Sequence, residues 1–144
     1  MKNVIYVGIF LPTTALPAPT LERTIANPHV TLQFHPTPTQ LTQLMPLFGM
    51  EVNLVVSGYG NDGKNEGYSV NVLPTGNDTV DSLVSAIPVP HITVSASAEG
   101  RPVDTAKLVF NPLEEPFTIK GRLGGFTGDF ANPVMLYPFP NRKA

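Results

Sequence analysis

Apolar and polar residues change period several times along this chain, and each change marks an element. Val4 to Leu11 is almost continuously apolar and predicts a first strand. Proline then breaks the pattern from Pro12 to Pro19, after which Thr20 to Ile25 predicts a short helix. Val30 to Phe34 alternates as a strand does. Thr37-Pro38-Thr39-Gln40 has the form of a capping box with proline at the first helical position. Leu41, Leu44, Met45 and Phe48 then repeat at helical spacing up to Gly49. Glu51 to Ser57 and Glu66 to Val72 are rich in β-branched residues around an Asp62-Gly63 turn, which predicts a hairpin.

Asn77 to Ala86 again has helical period, with Val80, Leu83, Val84 and Ile87 on one face and Asn77 or Asp78 as cap. Lys107 to Phe110 and Phe117 to Leu123 read as further strands, the Gly100-Arg101-Pro102 turn preceding them. Val134 to Phe139 reads as an edge strand, since prolines 133, 138 and 140 do not suit a central one. The sum is an α+β protein in which short helices cover one side of a curved, antiparallel-rich sheet.

Composition narrows this picture. At 144 residues the chain is expected to be one domain, and 14% charged with 42% apolar residues excludes a chain held open by its own charge. The 16 prolines disfavour a helical bundle, and the absence of cysteine removes thiolate chemistry, disulfides and cysteine-type zinc sites, which fits a cytoplasmic location. A net charge of −2 removes the broad attraction that binds long nucleic acids. Met1-Lys2-Asn3 with the apolar run Val4 to Leu11 has the form of a feeble secretion signal, short and weakly charged, and the run is expected to be a first strand; no apolar run approaches the roughly 20 residues of a membrane span.

The candidate chemistry lies in a repeat. Ile25-Ala-Asn-Pro-His-Val-Thr-Leu and Ile87-Pro-Val-Pro-His-Ile-Thr-Val share isoleucine, proline, histidine and threonine at matching positions, and they hold two of the three histidines. Side chains alternate along a strand, so His29 and Thr31 share a face whose reverse carries Val30 and Leu32; His91 and Thr93 stand likewise against Ile92 and Val94. If the two strands meet, two imidazoles and two hydroxyls converge on one cleft. That set suits phosphodiester cleavage without metal or other cofactor: one neutral imidazole takes a proton from the attacking oxygen, the other gives one to the leaving oxygen, and the hydroxyls bond the non-bridging oxygens. An ordinary histidine pKa of about 6.5 makes both forms accessible.

The paired His-x-Thr at 29 to 31 and 91 to 93, each on a predicted strand, resembles the signature of the two-histidine (2H) phosphoesterase superfamily, which includes cyclic phosphodiesterases of RNA and enzymes that degrade 2′,5′-linked or cyclic oligonucleotides. The resemblance implies a bilobal fold, with two antiparallel-rich sheets lining a central groove, pseudo-symmetric lobes, and His29, Thr31, His91 and Thr93 facing it. It implies a small nucleotide or short oligonucleotide as substrate, and leaves linkage and oligomeric state open.

Other residues are candidates for holding substrate. Tyr59 and Tyr68 flank the glycine-rich loop Ser57 to Gly67 and offer rings either for stacking on a base or, the favoured reading, for packing on the sheet, and Lys64 brings charge to that loop, although a plain hairpin explains the glycines. Lys120 and Arg122 share a polar strand face with Thr118 and suit either phosphate or an ordinary solvated strand surface. Gln33 and Ser95 occupy the next position on each motif face, while His35 reads as a surface residue at a strand end. Asp78 and Asp81 fit helix capping, and no acidic or histidine cluster has metal-ligand spacing. For either motif alone the plainer reading is a half-buried histidine satisfied by a backbone carbonyl, and the alternatives to catalysis for the pair are a nucleotide-binding module on the same scaffold and a structural protein in which the repeat is coincidental.

Overall fold

The computed structural model describes residues 4–129 and 132–138. Among them, eight strands join in one sheet whose every ladder is antiparallel: β1 (Tyr6–Phe10), β2 (Arg23–Thr24), β3 (His29–Phe34), β4 (Glu51–Asn61), β5 (Asn65–Val72), β6 (His91–Ala96), β7 (Asn111–Phe126) and β8 (Val134–Met135). Their order is β2-β6-β5-β4-β7-β1-β3, with β8 on β7. Two short helices, α1 (Pro38–Leu44) and α2 (Asp78–Ser85), complete an α+β architecture. The two sheets expected from the sequence are a single connected one. The reason is length: β4 has 11 residues and β7 has 16, and their shared ladder runs from Glu51↔Arg122 to Tyr59↔Asn111 through both halves.

Both helices start as the sequence predicts. Thr37 Oγ1 accepts from the Gln40 N–H while Gln40 Oε1 accepts from the Thr37 N–H, and Asn77 Oδ1 accepts from the Val80 N–H. The apolar stripes of the helices enter one core, in which Leu44, Met45, Phe48 and Val80 pack with Val7, Ile9, Val30, Leu32, Val52, Leu54, Val56, Ile92, Val94 and Leu123. The hairpin also forms, with Gly63 in the left-handed region at φ 84° and Asp62 Oδ1 accepting from the N–H groups of Lys64 and Asn65. Its strands are longer than β-branching alone predicts, because Gly58 and Gly60 belong to β4. Chain 108–110 crosses there so closely that a Cβ at Gly60 would stand 3.0 Å from the Val109 carbonyl oxygen.

Three expectations give way to tertiary contacts. Thr20 to Ile25 contains β2 and no helix, since its N–H groups bond across the fold: Thr20 to Glu66 Oε1, Leu21 to Ser95 Oγ, and Ile25 to the Val94 carbonyl. Lys107 to Phe110 is no strand. It is the end of a 3₁₀ turn, Pro102–Lys107, followed by open chain with Val109 80% exposed, and β7 starts only at Asn111. Of Val134 to Phe139, Val134–Met135 pairs with β7, while Phe139 and Pro140 lie outside the described residues.

Residues 23–34 close the sheet upon itself. Their first part pairs with β6, as Arg23↔Ala96 and Thr24↔Ser95, and their second part pairs with β1, so one segment changes partner between the two ends of the strand order. A buried carboxylate holds this closure. Glu66 is 2% exposed and accepts from Ser95 Oγ at 2.6 Å, Tyr59 Oη at 2.6 Å and the Thr20 N–H at 2.8 Å. Burial by itself would raise its pKa, but the hydrogen bonds from Ser95, Tyr59 and Thr20 outweigh that and hold it below the usual carboxylate range. Replacing Glu66 by Gln, which puts a donor among three donors, is expected to cost roughly 1–3 kcal/mol in urea denaturation; an unchanged midpoint would show that the closure does not depend on it.

Candidate functional site

Both histidines open a strand, and both are held in the same way. His29 Nδ1 lies 2.8 Å from the Asn27 carbonyl oxygen, and His91 Nδ1 lies 2.8 Å from the Val89 carbonyl oxygen, in each case two residues back. A carbonyl oxygen only accepts, so each Nδ1 must carry the hydrogen, which leaves Nε2 of the neutral ring with the lone pair. Neither Nε2 has a hydrogen-bond partner among the described residues. The proline before each histidine restricts the backbone of Asn27 and of Val89 to extended conformations, which aims the carbonyl back at the ring.

The seam in the sheet brings the two rings into one neighbourhood. Carried on at the same register, β2 would place Pro28 opposite His91, but the chain leaves β6 at this point and joins β1 from His29 onward. The histidines therefore flank the position where the segment changes partner. β3 and β6 lie in contact; burial lowers the pKa of His29 below the ordinary 6.5 most strongly, the Asn27 carbonyl acts against that, and a positive charge on His91 lowers it further.

The surroundings of the two copies differ. Next to His29, the Tyr6 ring stacks with centroids 4.6 Å apart, and Phe10 lies at 5.3 Å; Tyr6 in turn stacks on Phe126 at 5.0 Å. Tyr6 Oη is 3.3 Å from His29 Nδ1, where it accepts a share of the same hydrogen, and burial raises its own pKa. The sequence concealed this wall because Tyr6 and Phe10 sit in a continuous apolar run, and only the pairing Phe10↔His29 turns them toward the motif. Thr31 is exposed and its hydroxyl has no partner among the described residues, whereas Thr93 Oγ1 donates to Thr105 Oγ1 at 2.8 Å. Thr105 is fully buried in the 3₁₀ turn over β6, a residue that no sequence motif singled out.

The other sequence candidates fall at different places. Arg122 stands in one row with the motif, through Arg122↔Phe10 and Phe10↔His29 on adjacent strands, and Lys120 follows it two positions away on the same exposed face of β7. Tyr68 is 5% exposed and packs in the core, its pKa pushed up to about 12 by burial, while Tyr59 binds Glu66 and leans on Tyr68. Tyr68 packs in the core and the half-buried Tyr59 rests against it, which is the packing reading of this pair and not the base-stacking one. Lys64 sits at the hairpin tip beside Asp62, with Glu22 and Glu99 lining the same depression, an unfavourable setting for an anion. Ser95 is buried on Glu66 and does not line the site; Gln33 bonds to Phe34 and Gln40. His35 is an exposed residue just beyond the strand end. Asp78 lies in the first turn of α2, and Asp81 accepts from Thr75 and Gly76 before that helix. No group of three or more His, Asp or Glu placed to hold a metal occurs among the described residues.

No protein-family model matches the chain, and a comparison with curated proteins finds no match.

The His29 shift has a sign that stability measurements can read. Its folded pKa lies below the unfolded value, so the unfolded chain binds more protons as pH falls from about 6.5 to the folded pKa, and stability is lost over that window. Denaturation midpoints measured from pH 7.5 to 5 are expected to fall in wild type and to fall less steeply in His29→Gln. Parallel curves for the two proteins would contradict the burial of His29.

Proposed function

We propose that this protein is a metal-independent phosphodiesterase of the two-histidine kind, acting on a small nucleotide, with bilobal organisation about the seam between β3 and β6. The observation that carries the reading is the matched pair of imidazoles, each with Nδ1 on the carbonyl two residues back and Nε2 left without a protein partner.

The environments support one assignment of roles. His29, kept neutral by burial, is the base: its Nε2 takes the proton from the attacking water or ribose hydroxyl as the new P–O bond forms. His91, in its protonated form, is the acid: its Nε2–H protonates the leaving oxygen as the old P–O bond breaks, while Nδ1–H stays on the Val89 carbonyl. The Thr31 hydroxyl donates to a non-bridging oxygen. Thr93 turns its hydrogen from Thr105 to the phosphate, and the Thr105 hydroxyl then donates to Thr93 and keeps it in place.

The test is turnover in the presence of chelator against nucleoside 2′,3′-cyclic phosphates, 2′,5′-linked oligoadenylates and cyclic di- and trinucleotides. Wild type is expected to cleave at least one class, and His29→Ala and His91→Ala to lose roughly 10²- to 10⁴-fold in kcat. Binding without turnover in wild type would favour the binding module instead, and activity that survives both substitutions would remove the two-histidine mechanism.

A further inference from the structure

A groove of about 390 Å³ opens on the sheet beside the histidine site, lined by Phe10, Leu11, Glu51, Lys120, Arg122 and Leu136 among others. It shares Phe10 with the wall around His29. Arg122, Phe10 and His29 are in one cross-strand row, so Arg122 is two strand spacings from His29, about 10 Å at 4.7–4.9 Å each. The Arg122 head turns to the Gly49 carbonyl and to Glu51, on the β4 side of β7 and away from β1 and His29, so it is aimed away from a phosphate held at the histidine Nε2 atoms. The charge in the groove faces a different part of whatever the site holds.

Arg122 is poorly committed within the protein. Of the five donors of a guanidinium, Nη1 spends one on the Gly49 carbonyl at 2.9 Å, which orients the head. The Nη2 contact with Glu51 is 3.7 Å and the Lys120 Nζ contact with the same carboxylate is 3.9 Å, both beyond hydrogen-bond reach and both exposed. Two cations against one carboxylate leave this strip positive in a chain of net charge −2. Apolar walls from Phe10, Leu11 and Leu136 strengthen the pull of that charge on an anion.

We propose that this groove is a subsite for a second phosphate of the substrate, which makes the ligand an oligonucleotide, linear or cyclic, and not a mononucleoside cyclic phosphate. The proposal rests on the functional reading above, because it takes the histidine pair as the place of the first phosphate. A mononucleoside cyclic phosphate has a single phosphate and leaves Arg122 and Lys120 unused. A second phosphate receives a forked pair of N–H bonds from Arg122, with Lys120 beside it as a point charge, and displaces the weakly held Glu51.

Equilibrium binding tests this independently of turnover. Hydrolysis-resistant phosphorothioate dinucleotides, linear and cyclic, and a nucleoside monophosphate are titrated by calorimetry into wild type, Arg122→Ala, Arg122→Gln and Lys120→Ala. Gln retains a donor for the Gly49 carbonyl and guards against a folding defect. The expected result is roughly ten-fold or greater weakening of dinucleotide affinity in both Arg122 variants, a smaller loss for the monophosphate, and a salt slope reduced by roughly 0.7 for the lost phosphate contact. Equal losses for both ligands, unchanged dinucleotide binding, or wild type that binds no dinucleotide would each overturn the subsite. A protein that binds dinucleotides through Arg122 yet cleaves none would retain the subsite and lose the catalytic reading.

Discussion

The structure depends on a buried carboxylate. Glu66 gathers the Thr20 N–H, Tyr59 Oη and Ser95 Oγ, from three separate parts of the chain, at 2.6 to 2.8 Å. A charge this deep is tolerated only because its oxygens are satisfied, and the same requirement makes the arrangement specific. Because the donors come from the proline-rich segment, β4 and β6, Glu66 decides where the chain after Pro19 must lie. That placement starts β2 against β6 and sends the following residues across to β1.

The change of partner explains the site. A strand that continued along β6 would leave no opening at His91, and one that began on β1 would leave His29 far from the second motif. Residues 23–34 do both in succession, and the histidines stand where the two ladders part. The repeat supplies the same local geometry twice, a proline, a carbonyl and an imidazole, while the surroundings make the copies unequal. Aromatic rings enclose His29, and a 3₁₀ turn engages Thr93 but not Thr31. Equivalent groups in unlike environments are what the proposed acid and base roles would require.

Polar residues on the outer face of β7 add direction to the site. Arg122 lies in register with Phe10 and through it with His29, and Lys120 follows on the same face of β7 opposite Asn53 of β4, on the side away from the acidic hairpin tip. Long strands make this possible. β7 serves both halves of the sheet, so a cation on it can stand in the same row as a motif on another strand without any loop to position it.

Local chemistry was readable in the sequence because local chemistry decides it. The capping box at Thr37, the Asn77 cap, the Asp62-Gly63 turn, the alternation on β3 and β6 and the pairing of His with Thr on one face depend on residues a few positions apart. What depended on distant partners was not readable. Thr20 to Ile25 had helical length, but its donors found Glu66, Ser95 and Val94, more than 40 residues away. Tyr59 and Tyr68 resembled a stacking platform until Glu66 and the core claimed them, and Tyr6, Phe10 and Thr105 entered the site only through strand register and the crossing of 102–107. The sequence alone determined which imidazoles and hydroxyls are paired and which face of a strand each would occupy. Tertiary structure alone decided that the two motifs meet, because the closure of a sheet is set by hydrogen bonds whose partners no short window of sequence contains.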